Sequence, residues 1–190
     1  DGGVWGALTG ELRTELIQRG EESLAMEYPL LTAELYREFC RNGNRSRYED
    51  VYFKRRQMVC DLMVAECLEG QGRFVDKLID GIWAILEETS WVIPAHNTSL
   101  DGAKYQLPDA YRGEIRYVDL FSAETGSLLA WVYHFLKDVL EEAVPHVIVD
   151  RMQYELNRRI LEPYLQYDMP WMGLDGGFVN NWNPWIVSNV

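Results

Sequence analysis

The chain has 190 residues, 47% apolar and 25% charged, the balance of an ordinary globular protein and a length that suits one domain. Its 18 Lys and Arg stand against 30 Asp and Glu, a net charge of −12, which argues against sequence-independent nucleic-acid binding because that rests on basic residues neutralising phosphates. No apolar run reaches the roughly 20 residues of a bilayer span, and Asp1-Gly2-Gly3 lacks the regions of a signal peptide, so the expectation is a soluble protein of the cytoplasm or periplasm with no membrane partner.

Apolar residues recur with a helical period and no stretch alternates like a strand for long. A first helix is expected from Gly10 to Met26, ended by Pro29. Thr32 caps a short second helix, Ala33 to Arg41, which Asn42-Gly43-Asn44 stops. Ser46 is placed to cap a long helix to Glu69, with Glu49 completing a capping box. Its stripe runs through Tyr52, Met58, Val59, Leu62, Met63 and Glu66. Gly70-Gln71-Gly72 makes a turn, and Arg73 to Glu88 the next helix. An irregular segment follows from Thr89 to Val118, and segments of that length in a compact domain are often functional. Asp119 or Ser122 starts a helix to Val144. A last long helix is expected from His146 to Tyr167, kinked or cut short by Pro163. Asp168 to Pro184 is irregular and rich in Trp, Gly and Asn, and Pro184 opens a final helix.

The expected fold class is all-α: residues 1–190 form one helical domain of antiparallel helix hairpins. Such hairpins build a solenoid or a closed α/α toroid, and the missing fixed-period repeat favours the toroid. The long loops fall at alternate junctions, so they should gather at one rim, as around a cleft.

Cys40, Cys60 and Cys67 read as buried free thiols, since Cys60 and Cys67 stand about 10 Å apart along one helix, too far for a disulfide. No zinc spacing, H-E-x-x-H, G-x-S-x-G, P-loop or G-x-G-x-x-G occurs, and no metal or cofactor is expected. The basic runs Lys54-Arg55-Arg56 and Arg158-Arg159 read as solvated helix faces with partners one turn away. His134 and His146 read as structural.

Three clusters could carry chemistry. In Trp91–Asn97 (WVIPAHN), His96 and Asn97 could bind a carboxylate or carry a proton, or His96 could simply hold a turn. In Asp119–Gly126 (DLFSAETG), Asp119 and Glu124 could be a glycosidase's paired carboxylates, or Asp119 could cap the helix while Glu124 braces the loops. In Asn180–Trp185 (NNWNPW), Asn180, Asn181 and Asn183 offer amides beside the flat faces of Trp182 and Trp185. That combination suits a sugar ring, with amides to hydroxyls or a carboxylate and an indole beneath the C–H face. The bland reading of this cluster is an elaborate helix cap.

These clusters, with Glu155–Leu165 (ELNRRILEPYL) and Trp171–Asn189 (WMGLDGGFVNNWNPWIVSN), resemble the N-terminal helical domain of the heparinase II/III-like polysaccharide lyases. The resemblance implies an incomplete α/α toroid, followed in that family by further toroid helices and a C-terminal β-sandwich. It implies cleavage of uronic-acid-containing polysaccharides by β-elimination. An Asn at the Asn180-Asn181 position neutralises the uronate carboxylate, and a Tyr helped by a His moves the proton. Trp182 stands after Asn181 where several relatives have His. The segment that carries the family's catalytic Tyr has no counterpart in these 190 residues, which are therefore expected to be a silent portion of a lyase.

On this reading His96 and Asn181 are the catalytic candidates. Asn97, Glu124, Asn180, Trp182, Asn183 and Trp185 are the substrate-binding candidates. The partner is an acidic polysaccharide or oligosaccharide, and the charge favours a less sulfated one. Lys104, Arg112 and Arg116 could form a local basic cleft. Exposed toroid faces are expected to drive self-association. The alternatives are a glycoside hydrolase using Asp119 and Glu124 and a non-catalytic carbohydrate-binding module.

Overall fold

The structure, a computed structural model, describes residues 2–97, 107, 108 and 117–190. Lys104, Arg112 and Arg116, and with them the expected basic cleft, lie outside the described residues. No strand occurs among the described residues, and the fold is all-α.

A short helix α1, Gly2–Ala7, precedes α2, Gly10–Ala25. Thr32 caps α3, Ala33–Asn42, accepting the Leu35 N–H, and Gly43 ends it in the left-handed region (φ 78°). The long helix α4, Ser46–Glu69, starts where expected but not by the expected device. Arg45 is its N-cap and the Ser46–Glu49 box does not form. Asn44 Oδ1 instead accepts the Arg47 N–H, and Glu49 pairs with Arg45. The sequence places equally good acceptors at Asn44 and Ser46, and the nearer end of the preceding turn wins.

Helix α5, Val75–Leu86, returns along α4 through the Gly70-Gln71-Gly72 turn. Glu66 explains its place on an apolar stripe: it is buried and accepts the N–H groups of Gly72 (2.8 Å) and Phe74 (3.4 Å), tying down that turn. Residues Pro94–Asn97 form one turn, α6. Helix α7, Leu120–Ala143, then pairs with α8, Val147–Leu156. Pro163 does not break the last long helix. The chain widens into a π turn over Asn157–Leu161, closed by the Glu162 N–H on the Asn157 carbonyl, and resumes as α9, Glu162–Gln166. The wide turn replaces regular bonds that a residue without an N–H cannot complete. A 3₁₀ turn, Pro170–Met172, and α10, Trp182–Val187, complete the chain. Pro184 is thus the third residue of the final helix rather than its first.

Neighbouring helices run antiparallel. Arg13 and Arg19 of α2 meet Leu68 and Asp61 of α4 in descending order. The crossing is close at Gly20, where a methyl group would overlap Ala65 Cβ. The main core fills the space between α4, α5, α7 and α8 with Leu62, Leu78, Ile82, Leu129, Leu140 and Met152, all fully buried. A smaller cluster of Tyr36, Tyr48, Tyr52 and Ile93 closes the end where α3 meets α6.

The basic runs are only partly solvated: Lys54 is exposed, and Arg158 and Arg159 find the expected partner one turn away in Glu155, but the other arginines are drawn inward. Arg55 and Arg56 are buried and both pair with Glu88, while Arg159 pairs with Glu155 and donates to the Glu88 carbonyl. Arg151 donates to the Leu86 carbonyl, so arginines satisfy carbonyls at the C-terminal end of α5, where the helix dipole concentrates negative charge. The three cysteines are free thiols but only partly buried.

Candidate functional site

Described residues from three separate segments meet beside the start of α7. Trp171 donates its indole N–H to the Val118 carbonyl (2.8 Å), which docks the segment after α9 against the start of α7. The segment before α6 is pinned from the other side, because Trp91 is buried and donates its indole N–H to Ile85 (2.9 Å).

At this junction Asp119 does two things. Its Oδ1 accepts the Ser122 N–H (2.8 Å) while Ser122 Oγ accepts the Asp119 N–H (2.9 Å), a reciprocal cap that starts α7. Its Oδ2 meets Nδ1 of His96 at 2.7 Å. The Asp119 side chain is 0% exposed and that of His96 10%. A carboxylate only accepts, so His96 places its Nδ1–H on Asp119.

Aromatic rings frame the imidazole. Phe121 stacks on it at 5.4 Å, nearly parallel, and Trp182 lies on it at 4.6 Å, tilted by 51°. One turn along α10, Trp185 approaches Phe121 edge-on and donates its indole N–H to Glu124 Oε1 at 2.8 Å. Trp185 remains 41% exposed. The three sequence clusters therefore meet: WVIPAHN supplies the imidazole, DLFSAETG its carboxylate and a ring, and NNWNPW two indoles.

The expected site residues divide by what their polar groups already hold. Asn97 donates to the Tyr36 hydroxyl (2.7 Å), Asn180 accepts the Trp182 N–H (2.9 Å), and Asn183 donates to the Trp171 carbonyl (3.4 Å). Those three amides shape the site. Glu124 holds an indole rather than loop amides. Asn181, the N-cap residue of α10, is exposed and its side chain makes no capping bond. Burial pushes the Tyr36 phenol well above its ordinary range, against the opposing hydrogen bond from Asn97, so it stays a neutral hydroxyl.

Sequence reasoning missed Phe121 and Tyr36, and it read Asp119 as a cap or an acid without pairing it to His96. The cap is legible from Asp119 and Ser122 alone. The imidazole contact joins residues 23 apart across an irregular segment, which periodicity does not reach. No protein-family model matches the chain, and no curated protein sequence matches it closely enough to carry an argument.

Proposed function

We propose that these helices form part of an incomplete α/α toroid, and that the site at their rim binds the uronate of an acidic, weakly sulfated polysaccharide in a lyase that works by β-elimination. The observation that carries the reading is the junction of His96, held by Asp119, with Trp182 and, through Phe121, with Trp185, on the helix whose N-cap is the exposed Asn181.

The chemistry follows from the residues. A uronate C5–H becomes removable when the neighbouring carboxylate is neutralised, because the developing charge then has a stabilising partner. The Asn181 amide supplies that contact. The C5 proton passes to the His96 imidazole, its electron pair forms the C4=C5 bond, and the C4–O bond breaks. The departing oxygen needs a proton from an acid. Tyr36, the tyrosine beside Asn97, is buried, so a departing sugar oxygen does not reach its hydroxyl and it does not fill that role. Binding without turnover is the expected behaviour of the 190 residues alone.

A buried Asp119 weighs against the hydrolase alternative. A glycosidase carboxyl must reach the glycosidic bond, whereas both Asp119 oxygens are enclosed and engaged. Calorimetry with an unsulfated oligouronate and its carboxyl-reduced analogue tests the proposal. Binding of the first and not the second is expected, together with no rise in ultraviolet absorbance from C4=C5 products. Equal binding of both would remove the carboxylate from the account, and saturated reducing ends would favour hydrolysis.

A further inference from the structure

A single buried hydroxyl joins the two chain segments that build the site. Tyr52 Oη of α4 lies 2.8 Å from the Trp91 carbonyl, 3.0 Å from the Phe121 carbonyl and 2.9 Å from Thr125 Oγ1. Trp91 opens the segment that carries His96, and Phe121 and Thr125 lie in the first turns of α7, just after Asp119. Tyr52 is fully buried.

The protons can be ordered. Arg56, clamped by Glu88 at 2.6 and 3.2 Å, donates from Nε to Thr125 Oγ1 at 2.8 Å. A guanidinium only donates, so Thr125 Oγ1 accepts there, and it gives its own proton to the Phe121 carbonyl at 2.8 Å, the same carbonyl that the Tyr52 hydroxyl approaches. The phenol then gives its proton to the Trp91 carbonyl, the shortest of its contacts. The bonds run from Glu88 through Arg56 and Thr125 to the Phe121 carbonyl, with Tyr52 Oη beside Thr125 Oγ1, and the charge at their start strengthens each link. Arg56 also lies over the Tyr52 ring, 3.3 Å from its centroid, which fixes the ring from above. A second line of contact leads to the same place: the rings of Tyr52, Phe53, Phe121 and His96 touch in succession at 5.3, 4.8 and 5.4 Å.

We propose that Tyr52, oriented by Thr125 and Arg56, is the positioning residue of the candidate site. It locks the His96 segment to the start of α7, so that the imidazole keeps Nδ1 on Asp119. This deepens the reading of His96 as the proton-exchanging group but does not depend on which ligand the site takes.

The test reads the His96 ring directly, by nitrogen-15 NMR of the histidine-labelled full chain without any sugar. The wild type should show one tautomer, protonated at Nδ1. Tyr52→Phe keeps the ring and removes the hydroxyl. It should mix the two tautomers and speed Nδ1–H exchange by about tenfold, the factor set by losing one hydrogen bond of ordinary strength. Thr125→Val, similar in shape but without a hydroxyl, should do the same, and Thr125→Ser should restore the wild-type signals. Leu140→Ala removes core volume at the other end of α7 and should lower stability while leaving the tautomer alone. If Tyr52→Phe does not fold, Thr125→Val and Thr125→Ser carry the comparison. Unchanged His96 signals in Tyr52→Phe, or in Thr125→Val, would overturn the proposal, as would mixing in Leu140→Ala. A chain that binds no oligouronate but shows the expected tautomer changes would contradict the lyase reading and leave this one standing.

Discussion

His96 and Trp182 lie ring to ring, 4.6 Å between centroids, although one belongs to a single turn between α5 and α7 and the other to the first turn of α10. The contact places a flat apolar surface beside a group able to exchange a proton, which is what a sugar bearing a carboxylate needs. Trp182→Ala should weaken oligouronate binding by roughly tenfold, the worth of one aromatic contact. It should also cost about 1 to 2 kcal/mol of stability, as expected for a partly buried indole. Calorimetry and urea unfolding separate the two effects.

Asp119 combines a helix cap with an imidazole partner, and substitutions can divide these roles. Asp119→Asn retains an oxygen for the Ser122 N–H and should cost about 1 kcal/mol. Asp119→Ala leaves that N–H and the His96 Nδ1–H without their acceptor and should cost about 2 to 3 kcal/mol. Equal losses in the two variants, measured by urea unfolding, would show that the charge alone matters.

Glu155 gives the fold an acid sensitivity with a definite sign. Burial works against its charged form, but hydrogen bonds from Arg159 and Arg158 outweigh that and hold the carboxyl below its usual range. A carboxyl depressed in this way contributes stability that is present above the unfolded-state value and is lost as pH falls through the folded one. The stability of the wild type should therefore decline as pH drops below about 4.3. Glu155→Gln should remove that component of the decline and lower stability at pH 7 by roughly 3 kcal/mol, since it leaves buried arginine charge uncompensated. Unfolding curves of both chains across pH 3 to 7 show whether the slopes differ.

Helix positions were largely legible in the sequence because each carries its own signal: Thr32 before α3, Gly43 and Gly70 after α3 and α4, and the Asp119–Ser122 pair before α7. The site was legible as three clusters of suitable residues but not as contacts. That His96 meets Asp119, and Trp185 meets Glu124, depends on how α10 folds back over the start of α7. No local pattern encodes that return. Arg55, Arg56 and Arg159 were misread for a related reason, since their burial is set by Glu88 and by the end of α5, distant in sequence.

Gly20 marks the closest approach of α2 to α4. Gly20→Ala should destabilise the fold by about 1 to 3 kcal/mol, the range for overpacking, because its methyl would overlap Ala65 and crowd the Asp61 carbonyl. Ala65→Gly in the same chain should recover part of that loss. No recovery in the double variant, measured by thermal unfolding, would place the strain elsewhere.

Cys67 should be a slow nucleophile. Burial, helped by the Glu66 charge, pushes its thiol up to about 11. Its alkylation rate should keep rising with pH well beyond the range where an ordinary thiol levels off, near about 8.5. A plateau below pH 9 would contradict that environment.

The proposed function places an acidic sugar at the junction of α6, the start of α7 and α10. Nitrogen-15 NMR of the labelled chain during titration with an unsulfated oligouronate tests it most directly. The account predicts that the Asn181 side-chain amide, the His96 ring and the indoles of Trp182 and Trp185 shift together, while those of Trp131 and Trp83 stay still. Shifts confined to the latter pair, or none at saturating oligouronate, would contradict it.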